Sequence, residues 1–185
     1  MQRQLKDKLE IPFNWHSESS CIFYVKDEIV IFTDAMKHFL ISCASQHPKK
    51  EARLCAHLTP DNHLHEMIIV HSKGNYIPPH KHLNKIESFH LIEGQLAVVI
   101  FNDCGEVKQI IHLDSKKDFY YRLQESMFHT VVPLSEYVVF HEVTNGPFFL
   151  EEKREAKWAP KKNDLEEVNN YQRKLMKKIS VSLIQ

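Results

Sequence analysis

The sequence has no excess of charge of either sign, because 24 Lys and Arg stand against 24 Asp and Glu. Such a chain generates no field to hold a polyanion, and no basic stripe with interleaved aromatics runs along it. Nucleic acid is therefore not expected as a partner. Long hydrophobic runs are missing as well. The longest, Leu96 to Phe101, is six residues, against the ~20 that a spanning helix needs, so no membrane partner is expected. The opening MQRQLKDKLE lacks the apolar centre of a secretory signal. Four cysteines (Cys21, Cys43, Cys55, Cys104) form no C-x-x-C pair, which argues against a zinc ribbon or a disulfide framework. They are expected as idle core thiols of a cytoplasmic protein. No 20–50-residue repeat and no low-complexity tract occurs.

What is present fits one domain with extensions. Hydrophobic residues make up 43% and charged residues 26% of 185 positions, an ordinary globular balance. Residues 1–50 read as an N-terminal extension packing on the main body. Cys21–Val25 and Glu28–Phe32 have strand character. Thr33 is a natural N-cap for DAMKHFLISCASQ, where Met36, Phe39, Leu40 and Cys43 recur at helical spacing. From Ala52 the period changes to two, with Ala52, Leu54, Ala56 and Leu58 alternating against Arg53, Cys55 and His57. Short strands follow at Glu66–His71, Ile77–His82, Ser88–Ile92, Gln95–Asn102, Val107–Leu113, Phe119–Leu123, Thr130–Val132 and Tyr137–Val143. Turn signals such as Lys73-Gly74-Asn75 and Asn145-Gly146-Pro147 separate them. Many short strands at near-even spacing argue for a sandwich or a small closed barrel over residues 51–160. Residues 161–185 turn charged and helical, with Leu165, Val168, Tyr171 or Gln172, Leu175 or Met176, and Ile179 three or four apart.

Thirteen histidines are a surplus, and their pattern points to a metal. His80 and His82 stand two apart on one strand, so both imidazoles leave the same face. Glu87 follows after a turn around Leu83-Asn84-Lys85, on a strand that can lay its carboxylate beside the pair. Such convergence needs the inside of a barrel. Nitrogen and oxygen donors without thiolate suit Fe(II), Mn(II), Ni(II), Co(II) or Zn(II). Two of only four glycines, Gly74 and Gly94, bracket the segment.

The segment Gly74 to Gly94 resembles the first cupin motif, G-x5-H-x-H-x3-4-E-x6-G, at every fixed position. The second motif, P-x-G-x2-H-x3-N, is matched in Gln124 to His129 only by His129, with Ser126 in place of the glycine and Pro133 in place of the asparagine. The resemblance makes His129 a fourth ligand. The stretches HEMIIVHSKGNYIPPHKH, KIESFHLIEGQLAVVIFNDCGEV, FHTVV, VVFHEVTNGPF and AKWAP are similar to the WbuC-type cupin-fold metalloproteins, from about Arg53 to Pro160. That family accompanies bacterial surface-polysaccharide gene clusters. The resemblance implies an all-β fold, one jelly-roll-like cupin β-barrel holding one divalent ion (Fe, Zn, Ni or Mn), with an N-terminal strand and helix extension and a C-terminal helix.

Arg53, His57, Arg122 and Glu142 lie on strands that line the barrel mouth if their parity is inward, and are the candidates for binding a small, sugar-like or anionic ligand. His71, His90, His112 and His141 are expected as structural or exposed residues, with His90 facing away from Glu87. Lys85 is expected to cap its turn, and Trp158 either to close the barrel or to stack on a sugar. Three functions remain open: an enzyme acting on a sugar or nucleotide-sugar, a non-catalytic metal-organised binding module, and an Fe(II) dioxygenase. A homodimer is expected, with residues 1–32 or the helix after Asp164 crossing the boundary.

Overall fold

The computed structural model describes residues 14–19 and 21–183. The opening MQRQLKDKLE, on which the reading of the leader rests, lies outside the described residues. Strands β1 (Trp15–Ser19), β2 (Ile22–Val25), β3 (Glu51–Cys55), β4 (Leu64–Ser72), β5 (His80–His82), β6 (Glu87–Glu93), β7 (Gln95–Phe101), β8 (Val107–Asp114), β9 (Tyr120–Leu123), β10 (Phe128–Pro133), β11 (Tyr137–Asn145) and β12 (Lys153–Glu155) form two sheets. Seven strands run in the order β1-β2-β3-β4-β11-β6-β9, and five in the order β12-β5-β10-β7-β8. Among the described residues no strand pairing joins one sheet to the other. The closed barrel expected from the sequence is thus a jelly-roll-like pair of facing sheets.

Strand parity explains the layering. In the larger sheet Cys55, Met67, Ile69, Phe89, Leu91 and Phe140 point inward and meet Leu96, Val98, Ile100 and Val131 of the smaller one. The opposite parity turns Phe23, Val25, Leu54, Val70 and Val139 outward, under helix α1 (Asp34–Gln46). Thr33 caps α1 as expected, its hydroxyl accepting from the N–H of Met36 at 3.3 Å. Helix α2 (Leu165–Ser182) lays Leu175 and Ile179 on the outer side of β7, against Ala97, Val99 and Phe101. The order from outside to outside is helix, sheet, sheet, helix.

Several sequence expectations need correction. Glu28–Phe32 is not a strand. Ile29 and Ile31 are 79% and 69% exposed, because no neighbouring strand covers their alternating side chains. β5 starts at His80 and not Ile77, since Pro78 and Pro79 have no N–H to give a ladder. β1 and β12 were not anticipated. Lys153-Arg154-Glu155 carries no apolar alternation at all, and only its partner β5 makes it a strand. Cys104 is exposed in the β7–β8 turn, while the other three cysteines are buried.

Gly94 is the pivot of the turn that carries the chain from β6 in the larger sheet to β7 in the smaller one. Its φ is +93°, and an added Cβ would lie 2.5 Å from Ser135 Oγ and 2.6 Å from the Tyr137 carbonyl oxygen. Left-handed strain and this contact act together. Gly94→Ala is expected to lower unfolding free energy by roughly 2–4 kcal/mol, measured by urea denaturation; an unchanged midpoint would contradict the reading.

Candidate metal centre

Three elements deliver the four predicted ligands. β5 and β10 pair in a register that sets His129 directly opposite His80. Partners across a ladder share a face, and His82, two residues on, shares it too. Ring centroids stand 4.7 Å apart for His80 and His129, 5.0 Å for His80 and His82, and 6.2 Å for His82 and His129. Glu87 opens β6 on the facing sheet. The turn before it is held by Asn84, whose φ of 60° suits asparagine, and by Asn145, which donates to the Asn84 carbonyl and accepts from the Ile86 N–H. Lys85 donates to the carbonyls of Asn145 and Pro147 at 2.7 and 3.0 Å, so it serves the turn as expected. The missing glycine of the second motif has no structural cost. Among the described residues only Lys50 and Asn84 are non-glycine positions with positive φ, and Ser126 is not one of them.

The electrostatics favour a cation. Nδ1 of His80 lies 2.9 Å from the Pro78 carbonyl and Nδ1 of His129 lies 3.0 Å from that of Met127. Donation from the Nδ1–H leaves the Nε2 lone pair of His80 free, the arrangement that orients imidazole as a metal ligand; Nε2 of His129 would be freed when a cation takes the place of its contact with Glu87. Burial drives His80 well below the ordinary histidine range, with His129 adding to the effect, and burial lowers His82 to about 4. Burial alone would raise Glu87, but His129 holds its carboxyl down; burial would lower His129, but Glu87 raises it. Their Nε2 and Oε1 atoms are 2.8 Å apart, without hydrogen-bond alignment, so Glu87 Oε1 is a buried atom lacking a hydrogen-bond partner. His82 Nδ1 is another. Orphaned buried polar atoms are rare and call for a partner. As the side chains stand, no three His, Cys, Asp or Glu among the described residues enclose a common metal position, because Glu87 and His129 are drawn to each other. The donor chemistry nevertheless fits a divalent ion, whose charge would replace that contact.

These four residues line a cavity of about 450 Å³ between the sheets. Arg53, His57 and Glu142 line it as well, whereas Arg122 does not. Tyr121 and Leu123 take the inward parity of β9, so Arg122 between them is exposed. His90 is exposed, as expected. Burial, and then the neighbouring Glu87, push the Glu142 carboxyl up to about 7. Sequence reasoning missed Tyr24, His65, His71 and Lys153 on the same wall. For Lys153 the sequence carries no signal, since β12 has no pattern of its own. Trp158 packs against Phe101 and Phe128, with ring centroids at 5.0 and 5.9 Å, and does not line the cavity.

A family model described as a domain of unknown function (DUF6016) matches residues 32–113. No curated protein matches. Similar solved structures include cupin-fold proteins. Oxalate decarboxylase from Lactobacillus farciminis, in a formate complex, is 16% identical over 51% of this chain and 27% of its own, with a TM-score of 0.42. The capsular polysaccharide assembling protein CapF from Staphylococcus aureus is 18% identical over 52% of this chain and 27% of its own, at 0.43. The Schizosaccharomyces pombe Cnp3 cupin domain is 11% identical over 52% and 64%, at 0.42. The chain spans about a quarter of the length of the first two.

Two histidines of the cavity wall are kept uncharged by burial. His71 accepts at Nδ1 from the Asn75 side-chain amide at 2.8 Å, and His57 Nδ1 lies 3.2 Å from the Glu66 backbone. Burial lowers both to about 4. A histidine depressed in the folded state is protonated first in the unfolded chain, so stability is full above pH ~6.5 and is lost as pH falls toward 4. The urea midpoint is expected to drop between pH 7 and 5, and the drop to shrink in His57→Asn with His71→Asn, whose amides keep the polar contacts. An equally steep pH dependence in the double variant would contradict this assignment.

Proposed function

We propose that this chain is a metal-dependent enzyme acting on a small, sugar-like molecule, with one divalent ion held by His80, His82, Glu87 and His129. The observation that carries the reading is the position of these donors. All four line one cavity that also holds Arg53, His57 and Glu142, and Glu87 Oε1 and His82 Nδ1 are buried there without hydrogen bonds. A purely structural ion would sit in a closed site. An ion with an open position polarises a carbonyl or vicinal diol, or activates water or dioxygen. Glu142 stands diagonally from Glu87 across the β6–β11 pairing, within the space a ligand would occupy, and supplies the group that accepts or returns a proton. Arg53 and His57 orient the ligand.

A cavity wall rich in carboxylate, imidazole and cationic groups supports acid–base chemistry over oxygen chemistry, which an apolar shell would suit better. The non-catalytic binding module shares the same residues and differs only in turnover. The tie to surface-polysaccharide synthesis comes from the family resemblance. A homodimer belongs to the same reading. Ile92, Phe119 and Tyr120 are 39–55% exposed on the part of the larger sheet that α1 leaves bare. Sedimentation at micromolar concentration should give a dimer, and a monomer would remove this part of the proposal.

Metal analysis of protein purified without tag or chelator is expected to give about one divalent ion per chain. His80→Ala with His82→Ala should lose it while keeping the native circular dichroism, because the sheets pack through apolar cores apart from the site. Glu142→Gln should keep the ion and lose turnover. Full metal content in the double variant would overturn the centre.

A further inference from the structure

The cavity wall carries two cations that the metal centre does not use. Lys153 leaves β12 directly opposite His82, so its side chain shares the inward face with the histidines. Arg53 leaves β3 on the inward face of the other sheet, in the row that runs through Ile69 and Phe140. Both line the same cavity. Lys85, by contrast, is engaged by two backbone carbonyls. Among the described residues neither the Lys153 ammonium nor the Arg53 guanidinium makes a hydrogen bond or a close ion pair, although Glu51, Glu142 and Glu155 lie on the same wall. A half-buried cation without a hydrogen-bond partner is poorly satisfied until an acceptor joins it.

We propose that Arg53 and Lys153 are the anion-binding end of the cavity, and that the ligand is a small hydroxylated monocarboxylate whose far end reaches the histidine and glutamate centre. This deepens the metal-dependent reading and rests on it. Charge sets the number of carboxylates. Five glutamates line the cavity against one arginine and three lysines, and Glu142 can hold its proton, so with a divalent ion the wall carries only a small positive excess, which suits one carboxylate better than a ligand of several negative charges. The diphosphate of a nucleotide-sugar brings at least two negative charges beside Glu51, Glu142 and Glu155, and is disfavoured. The volume, near the low end of the ~300–1,000 Å³ usual for small-molecule sites, also suits a sugar acid better than a nucleotide conjugate. A guanidinium offers the two-pronged contact that a carboxylate accepts, and the ammonium adds a point charge.

The test is calorimetric titration of full-length protein with gluconate, glucuronate and lactate, against glucose and UDP-glucose, with metal content measured on each sample. At least one carboxylate is expected to bind with a Kd of millimolar or tighter, while glucose and UDP-glucose bind at least tenfold more weakly. Lys153→Gln and Arg53→Gln are each expected to weaken carboxylate binding tenfold or more with metal content unchanged; Lys153→Arg should recover most of it. The inference is overturned if no carboxylate binds, if glucose or UDP-glucose binds equally well, or if neither glutamine variant affects binding. Loss of the parent metal-centre reading has a separate signature, namely no ion in the wild-type protein.

Discussion

A carboxylate at 5% exposure, sunk between two sheets, is the constraint on which the rest of this centre depends. Taking Glu87 out of water is costly unless positive charge or hydrogen-bond donors replace the lost solvation. The protein meets that demand in part with His129, at 2.8 Å. Yet Glu87 Oε1 and His82 Nδ1 stay without hydrogen bonds, so the compensation by protein groups is incomplete. A divalent cation completes it in one step, and no neutral rearrangement of these side chains does so as simply.

Everything that positions those groups is ordinary sheet geometry. The β5–β10 register places His80 against His129, β12 adds Lys153 against His82, and the β6–β11 pairing sets Glu142 diagonally from Glu87. A slip of one residue in any of these ladders would turn its polar set to the outer face. The outer faces are occupied instead by apolar side chains under α1 and α2. Helix packing on the outside thereby fixes which residues face the cavity. The N-terminal strands contribute in the same way, since β2 pairs with β3 and holds the strand from which Arg53 projects.

How much of this was legible in sequence differs from residue to residue. The shared face of His80 and His82 was readable without coordinates, because a strand has a strict period of two; that Glu87 would come from the facing sheet was not, because the turn after His82 carries the chain across. Thr33 and the apolar positions of α1 were equally readable. Arg122 was not, since its strand is four residues long and parity has to come from Tyr121 and Leu123 packing inward. Lys153 left no trace, because its strand exists only through pairing with β5. Barrel closure was unreadable for a similar reason: it depends on hydrogen bonds between sheet edges, and no local pattern encodes them.

The central claim is a divalent ion bound by three imidazoles and one carboxylate. X-ray absorption at the edge of the ion carried by the wild-type protein tests it most directly. The account predicts a first shell of nitrogen and oxygen alone at ~2.0–2.2 Å, in the zinc case, with multiple scattering from about three imidazoles that diminishes in His129→Ala. A shell containing sulfur, or one without imidazole scattering, would contradict it.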